Sequence, residues 1–354
     1  MPTIDNGGGV EKNFFIITNY LSTKFSKVTV ITLDRSVKKK LKKKVNIVCP
    51  STNIIDNFGR RTKFLISLIY LFKEIISSYR PTVFCFQGII YCASLCKLTG
   101  TKIIIRSNSS PSGWSNNYIK KILYKIIYGF ADKIIVNSLS FKKELKEKFN
   151  LNSVCIYNPL NRTEIIKNSK IRVNVKFFNK KNLNLISVAR FSEQKDHECL
   201  IKSMNIIKKR NIRLLLIGSG PIRYKIFELI KKLKLTNNIK IIDFKKNPFP
   251  YIKRSDVFIL SSKYEGLPNV LLEAITLNKL IISSDCPTGP KEILDNGKGG
   301  LLFETGNFKM LSKKIIFFMR NKKLFNNKKK HALIRLERFN YDKRLNDYLN
   351  VIRN

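Results

Sequence analysis

Short apolar runs alternate along the chain with longer segments in which apolar residues recur every three to four positions. The short runs predict buried strands, and the longer periodic segments predict helices with one buried face. In the first half, the predicted strands are residues 28–33, 45–48, 83–86, 101–106, 133–137 and 153–157, and the predicted helices are 11–21, 62–79, 89–98, 117–128 and 140–148. This alternation is typical of a parallel sheet covered by helices.

A second series of the same kind follows a polar, Asn- and Lys-rich stretch. Its predicted strands are 183–188, 213–217, 239–243, 257–260 and 280–283, and its predicted helices are 198–209, 224–233, 248–253, 269–276, 290–294 and 309–320. The pattern predicts the α/β class, with two Rossmann-like, doubly wound parallel-sheet domains at 1–160 and 183–330 and a linker at 161–182. A C-terminal helix in 331–354 is expected to return to the first domain. Ligands are expected where the carboxyl ends of the strands face the cleft between the domains.

The start of the chain is unusual for such a domain. A doubly wound domain normally opens with a strand that leads into its first glycine-rich loop. Here Gly7, Gly8 and Gly9 follow Met1 almost immediately. We therefore expect the first strand of the N-terminal domain to be missing from this sequence.

The composition is that of a globular protein and excludes a single small binding module. The chain has 354 residues, of which 44% are hydrophobic, and at about 150 residues per domain this length fits two domains. No apolar stretch reaches the 18 residues of a membrane span, and the first residues lack the features of a signal peptide. The seven cysteines are scattered, mostly in apolar runs, which is typical of buried thiols in a reducing compartment. We therefore expect a cytoplasmic protein.

Basic residues are in large excess. Lysines and arginines number 68 against 24 Asp and Glu, which gives a net charge of +44. This charge would suit a nucleic-acid-binding protein, but the lysines are spread along the whole chain and no nucleic-acid-binding module is recognisable. The predicted helices 62–79 and 117–128 combine lysines with apolar residues at helical spacing. Core packing and docking to an anionic membrane surface explain these two helices equally well.

The sequence predicts neither a metal site nor another cofactor. Cys92 and Cys96 have helical spacing but no further ligand nearby. His197 and His331 are the only histidines, so a histidine-based metal centre is not expected.

The clearest chemical pattern lies in residues 264–274, directly after a predicted strand. Glu265 precedes the predicted helix, and Glu273 lies on that helix eight positions later. The Gly-Leu-Pro-Asn passage between them leaves backbone N–H groups at a helix N-terminus, which favours a phosphate or diphosphate. Glu273 can accept hydrogen bonds from the hydroxyl groups of a ribose. Taken alone, the pattern fits two ordinary glutamates equally well.

Three further loops follow predicted strands of the second series. Arg190 and Lys195 lie on the first, where two cations can clamp a diphosphate and stabilise it as a leaving group. Gly218 and Gly220 lie on the next, where glycines let a ligand approach the backbone closely. Residues 284–294 form a turn rich in Gly and Pro. Each loop also has an explanation without a ligand, as a solvated basic loop or a rigid turn.

Taken in this order, the segments resemble the retaining GT-B glycosyltransferases of family 4, the glycosyl transferases group 1. The resemblance covers nearly the whole chain, and the two glutamates Glu265 and Glu273 match the family's E-x7-E signature. It implies a GT-B fold and transfer of a sugar from a nucleotide diphosphate sugar, a UDP- or GDP-sugar, with retention of configuration. The implied acceptor is a saccharide or a lipid-linked saccharide in bacterial polysaccharide, O-antigen or lipopolysaccharide biosynthesis.

The resemblance also implies residue roles. Glu265, Arg190 and Lys195 would be catalytic, with the two cations on the donor diphosphate and Glu265 facing the donor sugar. Glu273 would bind the ribose. The implied donor-binding residues are Gly8, Gly9, Gly218, Gly220, Gly266, Leu267, Asn269, Val270 and Glu273.

The acceptor side departs from the family pattern. Many members have a His after the fourth strand, whereas residues 105–111 contain none, which excludes a His general base at this point. Asn108 and Ser109 are the weak acceptor-side candidates there. Phe244 and Lys245 stand where a Gly is common, so the pockets for the base and the sugar are not assigned.

Several alternatives stay open. Glu265 can be a nucleophile, an electrostatic partner or a hydroxyl anchor, and the resemblance favours front-face attack without a protein nucleophile. A GT-B-like sugar-nucleotide epimerase is a second enzyme class, and a basic nucleic-acid-binding protein is a different class. The expected partners are a nucleotide sugar, a saccharide or lipid-linked acceptor and an anionic membrane surface, with no nucleic acid. The protein is then expected in the cytoplasm or on the cytoplasmic face of the inner membrane.

Overall fold

The computed structural model describes residues 8–50, 58–108 and 118–354. The chain forms a first unit of residues 1–159 and 342–354, and a second unit of residues 160–341. The elements before residue 160 are α1 (Gly9–Leu21), β1 (Thr29–Ile31), β2 (Asn46–Val48), α2 (Arg60–Ser77), β3 (Thr82–Cys85), α3 (Ile89–Leu98), β4 (Lys102–Arg106), α4 (Tyr118–Tyr128), β5 (Lys133–Val136), α5 (Leu139–Phe149) and β6 (Val154–Cys155).

The remaining elements belong to the second unit, except for the last helix. They are α6 (Arg162–Ser169), β7 (Leu183–Val188), α7 (His197–Ile206), β8 (Ile212–Ile217), α8 (Arg223–Lys232), β9 (Ile239–Ile242), α9 (Phe249–Arg254), β10 (Val257–Leu260), α10 (Asn269–Thr276), β11 (Leu280–Ser284), α11 (Pro290–Ile293), β12 (Leu301–Phe303), α12 (Phe308–Arg320), α13 (Asn326–Arg335) and α14 (Tyr341–Arg353).

The first unit contains a parallel sheet of four strands in the order β3, β4, β5, β6, and a separate parallel pair of β1 with β2. The central strand β4 is an uninterrupted apolar run, Ile103 to Ile105, with almost no exposed surface. Such runs are typical of parallel strands that helices cover on both faces.

The second unit contains one parallel sheet of six strands in the order β12, β11, β10, β7, β8, β9. From β7 the chain moves outward through β8 and β9, and it then crosses to β10 on the other side of β7. The strand order therefore reverses between β7 and β10. In open α/β sheets, ligands bind beyond the carboxyl ends of the strands at such a switch point.

The stretch expected as a linker, residues 161–182, begins with a helix, α6. The side chain of Asn161 accepts a hydrogen bond from the N–H of Glu164 at 3.1 Å and so caps the helix. Ile165 is buried, and α6 packs against α9 and α10. The polar composition of this stretch hid a short helix that has only one buried side.

Residues 331–354, where a C-terminal helix is expected, contain the end of α13, a short turn and α14. Helix α13 ends at Arg335, a 3-10 turn follows at Leu336–Phe339, and α14 begins at Tyr341. Within the first unit, the buried guanidinium of Arg106 on β4 donates from Nε to the hydroxyl of Tyr348 on α14, at 2.8 Å. This hydrogen bond fixes α14 to the end of β4.

Candidate active site

The loops that follow β7 and β10 meet at the switch point of the second unit. These two strands are parallel neighbours, with Leu185 opposite Val257 and Ile186 opposite Phe258. Their carboxyl ends therefore lie at the same edge of the sheet. The loop after β7 contains Lys195, and the loop after β10 contains Glu265 and leads into α10.

Lys195 and Glu265, both predicted as catalytic residues, form an ion pair across this point. Lys195 Nζ lies 2.5 Å from Glu265 Oε1, and the two side chains are 19% and 8% exposed. The hydroxyl of Ser262 donates to the same carboxylate oxygen at 2.6 Å. These two contacts offset the free energy that burying a carboxylate costs.

Hydrogen bonds hold the two loops together on either side of this ion pair. The side chain of Gln194 donates to the carbonyl of Tyr264 at 2.9 Å, and the N–H of Lys263 donates to the carbonyl of Gln194 at 2.8 Å. The hydroxyl of Ser261 donates to the carbonyl of Lys195 at 2.9 Å. Lys195 is therefore held at its backbone as well as at its side chain.

The Gly- and Pro-rich turn predicted at 284–294 supports the same loop from the far side of β10. The hydroxyl of Thr288 donates to the carbonyl of Glu265 at 2.5 Å. Gly289 has φ +82°, and a Cβ on it would lie 2.2 Å from the carbonyl oxygen of Gly266. Only glycine permits both this backbone conformation and this approach. The composition of the turn thus has a structural cause that needs no ligand.

Helix α10 begins directly after the Glu265 loop. Pro268 occupies its N-cap position, and no side chain caps the helix there. Glu273, one turn into the helix, is 6% exposed, Leu267 is buried and Val270 is half-buried. The positive end of the α10 dipole and the Lys195–Glu265 pair therefore lie at the same edge of the sheet, which suits an anionic ligand.

The predicted donor-site glycines after β8 pack against the loop after β7. A Cβ on Gly218 would lie 1.9 Å from the carbonyl oxygen of Ala189, and one on Gly220 would lie 2.2 Å from that of Phe191. The N–H of Phe191 donates to the carbonyl of Ser219 at 2.8 Å. The two glycines are required for this loop contact whether or not a ligand approaches them.

The second predicted cation, Arg190, is exposed at the start of the loop, whereas Lys195 is largely buried at its end. His197, for which the sequence predicts no role, is the first residue of α7 and is 2% exposed. Burial and the nearby positive charge of Lys195 lower the pKa of His197 to about 4. Its ring packs edge-on against Phe191, with the ring centroids 5.0 Å apart.

The candidates in the first unit lie on α1 and β4. Gly8 is the N-cap of α1, and Gly9 is its first residue. A Cβ on Gly8 would collide with the carboxylate of Glu11, which lies over the N-terminus of its own helix. The glycine therefore leaves room for this carboxylate.

Asn108 belongs to the hydrogen-bond network of a buried arginine. Its side chain accepts from the guanidinium of Arg106 and donates to the carbonyl of Phe86 at 3.2 Å. Arg106 also donates to Asn158 at 2.7 Å. Ser109 lies outside the described residues. Asn108 thus has a structural role that its position in the sequence did not reveal.

The cysteines and the other possible metal ligands of the described residues do not point to a further site. All seven cysteines lie within the described residues and none of them forms a disulfide bond, and burial raises the pKa of Cys96, Cys199 and Cys286 to about 12. In the part of the chain that the structure describes, no three His, Cys, Asp or Glu side chains converge to hold a metal ion. Over the same residues, no helix has the length and apolar character needed to cross a membrane.

Family comparisons match both units. Residues 167–335 match the family described as glycosyl transferases group 1. Residues 7–164 match the family described as glycosyltransferase family 4. The two matches together take in the glycines of α1 and all the candidate residues of the second unit.

Curated relatives are similar over much of the chain. It is 32% identical over 250 residues to an uncharacterized glycosyltransferase of Methanocaldococcus jannaschii, a match that covers 66% of this chain but only 61% of that relative. It is 26% identical over 274 residues to a Campylobacter jejuni enzyme, and that match covers 74% of this chain and 73% of the enzyme. The latter is named N-acetylgalactosamine-N,N'-diacetylbacillosaminyl-diphospho-undecaprenol 4-alpha-N-acetylgalactosaminyltransferase.

Solved structures share the fold. The crystal structure of HepE from Anabaena in complex with UDP and glucose aligns with a TM-score of 0.81 and 16% sequence identity. The alignment covers 99% of this chain and 97% of HepE. This likeness and the two family matches confirm the predicted family and fold class: the chain belongs to family 4 of the GT-B glycosyltransferases.

Proposed function

We propose that the protein is a retaining glycosyltransferase that moves a sugar from a nucleotide diphosphate sugar to a saccharide or lipid-linked saccharide acceptor. The observation that carries this proposal is the buried Lys195–Glu265 ion pair at the switch point, beside the N-terminus of α10. The crystal structure of HepE with UDP and glucose bound supports a UDP-sugar as donor. The diphospho-undecaprenol in the name of the Campylobacter enzyme supports a lipid-linked acceptor and a role in surface-polysaccharide assembly.

The charges at the site match those that develop during the reaction. Breaking a glycosyl–phosphate bond builds negative charge on the departing diphosphate and positive charge on the sugar. Lys195, Arg190 and the N-terminus of α10 would stabilise the diphosphate, and Glu265 would stabilise the sugar. Lys195 would thus contact both Glu265, which stabilises the sugar, and the diphosphate.

The contacts of Glu265 support an electrostatic role for its carboxylate. One carboxylate oxygen accepts hydrogen bonds from Lys195 and Ser262, which lowers the nucleophilicity of that oxygen. This arrangement favours front-face attack, in which a leaving phosphate oxygen takes the proton of the acceptor hydroxyl. The configuration of the anomeric carbon is then retained. An α product, as in the name of the Campylobacter enzyme, results from an α-linked donor by this route.

A thermal screen of nucleotide sugars tests the donor assignment. A ligand at 100 times its dissociation constant stabilises a protein by about 2.7 kcal/mol, which is readily measured. With the donor found, Lys195→Ala should lower turnover about 10²–10³-fold and Arg190→Ala similarly. Because both cations would contact one diphosphate, the double variant should lose less than the product of the single effects. Lys202→Ala, an exposed lysine on α7, is the matched control and should leave turnover unchanged.

The anomeric configuration of the product tests retention directly. A product with the configuration of the donor supports the proposed mechanism, and an inverted product contradicts it. An epimerase would change the nucleotide sugar without any acceptor, and a nucleic-acid-binding protein would show steep salt-dependent binding. The family matches favour neither of these alternatives.

We further propose that the first unit docks on an anionic membrane surface through α2 and α4. On α4, Ile119, Ile122, Leu123 and Ile126 are exposed. Lysines 120, 121 and 125 are interleaved with them. Helix α3 contacts both α2 and α4, so all three helices form one layer. Each lysine near an anionic surface contributes about 1 kcal/mol of binding free energy.

Flotation with vesicles tests this docking. The protein should float with vesicles that contain an anionic phospholipid and not with neutral vesicles. Replacing lysines 120, 121 and 125 by Ser should weaken flotation, while the same change at lysines 142, 143 and 146 of α5 serves as the control. Equal binding to neutral and anionic vesicles, or none to either, would contradict the proposal.

A further inference from the structure

One face of α12, in the second unit, is exposed and basic. The exposed residues of this helix share that face, because they follow one another at intervals of four, four and three positions. They are Lys309, Lys313, Phe317 and Arg320. The opposite face, with Leu311, Ile315 and Phe318, is buried in the core of the unit.

The exposed face continues into the 3-10 turn Lys322–Phe325 that follows α12. The ring of Phe325 is buried and packs edge-on against the ring of Phe317, with the centroids 5.5 Å apart. Phe317 itself is 49% exposed, and Leu324 on the turn is 67% exposed. The helix and the turn together form a basic stripe of seven exposed residues: Lys309, Lys313, Phe317, Arg320, Lys322, Lys323 and Leu324.

The positive charge of the basic stripe is not compensated nearby. Residues 305–336 contain ten lysines and arginines and no Asp or Glu. Among the residues that the structure describes, none of the five cations of the stripe forms an ion pair. Like charges held this close repel one another, so an anionic partner lowers the free energy of this surface.

Helix α8 of the same unit shows that the high lysine content alone does not produce such a stripe. It is also basic, and its aromatic residues Tyr224 and Phe227 are 73% and 40% exposed. Three of its cations are ion-paired: Arg223 with Asp243, Lys225 with Glu193, and Lys231 with Glu228. The charge of α8 is thus largely compensated within the protein, whereas that of the stripe is not.

We propose that the basic stripe is a docking surface for an anionic lipid bilayer. The lysines and the arginine would lie at the negatively charged headgroups. Phe317 and Leu324 would enter the boundary between headgroups and acyl chains, as the apolar residues of interfacial helices do. A nucleic acid would match the cations but offers no apolar phase for Leu324. The proposal concerns the second unit alone and depends neither on the donor site nor on docking through α2 and α4.

Binding to vesicles tests the charges of the stripe. The full chain is used with lysines 120, 121 and 125 of α4 replaced by Ser, so that α4 contributes little, and vesicles of phosphatidylcholine are compared with and without phosphatidylglycerol. Replacing lysines 313, 322 and 323 by Ser should weaken binding to the anionic vesicles about 100-fold, since each lysine near the surface contributes a factor of about 5. The same change at lysines 225, 231 and 232 of α8 is the matched control and should alter binding little.

A tryptophan on the stripe tests its contact with the bilayer directly. Phe317→Trp is made in a chain whose only tryptophan, Trp114, is replaced by Phe. Anionic vesicles with brominated acyl chains should quench the emission of this tryptophan at least about 2-fold. Tyr224→Trp on α8, made in the same background, is the control and should be quenched little.

Three results would overturn the proposal. The first is that the protein with the altered α4 does not bind anionic vesicles; if it then binds single-stranded RNA through lysines 313, 322 and 323, the partner is a nucleic acid. The second is that the two lysine variants, on α12 with its turn and on α8, bind anionic vesicles equally well. The third is that the tryptophan at position 317 is quenched no more than the one at position 224.

Discussion

The ion pair between Lys195 and Glu265 permits a quantitative prediction about stability. At 2.5 Å and an effective dielectric constant of about 20, the attraction between two unit charges is about 7 kcal/mol. Desolvation of the two ions offsets most of it, but removing one partner leaves the other charge buried. Lys195→Met should therefore lower the free energy of unfolding by about 3 kcal/mol.

Glu265→Gln should cost less, about 1 kcal/mol, because the amide keeps its hydrogen bond to Ser262 and Lys195 still reaches solvent. The double variant contains no unpaired buried charge. It should therefore cost about 2 kcal/mol rather than the sum of the single effects, which is a coupling of about 2 kcal/mol. Urea unfolding of the four proteins, followed by circular dichroism, measures this coupling.

An exposed pair on α7 supplies the matched control. Lys202 Nζ lies 2.6 Å from Glu198 Oε1, but these side chains are 44% and 62% exposed. The same cycle at this pair should give a coupling below about 0.5 kcal/mol. A coupling of Lys195 with Glu265 as small as that of the exposed pair would refute a stronger interaction between the buried charges.

Four further variants test other parts of the structure. Since the pKa of His197 is lowered to about 4 from about 6.5 in the unfolded chain, its contribution to stability is complete above pH 6.5 and is lost as the pH falls toward 4. Wild type should lose about 2 kcal/mol more than His197→Phe between pH 7.5 and pH 5 in urea unfolding; equal losses would assign the pH dependence elsewhere. Arg106→Met should lower the free energy of unfolding by about 3 kcal/mol, because it leaves buried hydrogen-bond partners unsatisfied; a loss below about 1 kcal/mol would contradict this. Gly218→Ala should lower the free energy of unfolding by at least about 2 kcal/mol, because the added Cβ collides with the backbone of Ala189. Gly59→Ala, which has open space around it, should lower the free energy of unfolding little. Glu273→Ala should raise the KM for the donor about 10-fold and change kcat little, because a ribose is bound alike in the ground and transition states; an equal fall in kcat would disprove that role.

The sequence pattern predicted the elements of the second unit closely. Strands β7 and β10 and helix α10 begin and end at the predicted residues. Both strands are buried, and β10 is a continuous apolar run, whereas β7 is apolar apart from Asn184 and Ser187. In the first unit β1, β2 and β6 are shorter than predicted. An apolar run predicts the ends of an edge strand less accurately, because a strand at the edge of a sheet has a partner on one side only.

The sequence pattern alone does not predict the contacts within the candidate site. Lys195 and Glu265 are 70 positions apart, and their pairing follows from the strand order, which local periodicity does not determine. Ser262 and Thr288 have no distinguishing context in the sequence. The role of Gly289 became visible only with its φ of +82° and its contact across the loop. Predicting these contacts requires the reversal of strand order between β7 and β10.

Calorimetric titration of UDP and GDP tests most directly whether the switch point of the second unit binds a nucleotide diphosphate. Wild type, Lys195→Ala and Lys202→Ala are compared at a temperature at which circular dichroism shows all three to be folded. One of the two nucleotides should bind wild type and Lys202→Ala with equal affinity, and it should bind Lys195→Ala at least about 10-fold more weakly. Equal affinity for all three proteins, or binding of neither nucleotide to wild type, would contradict a nucleotide site at this switch point.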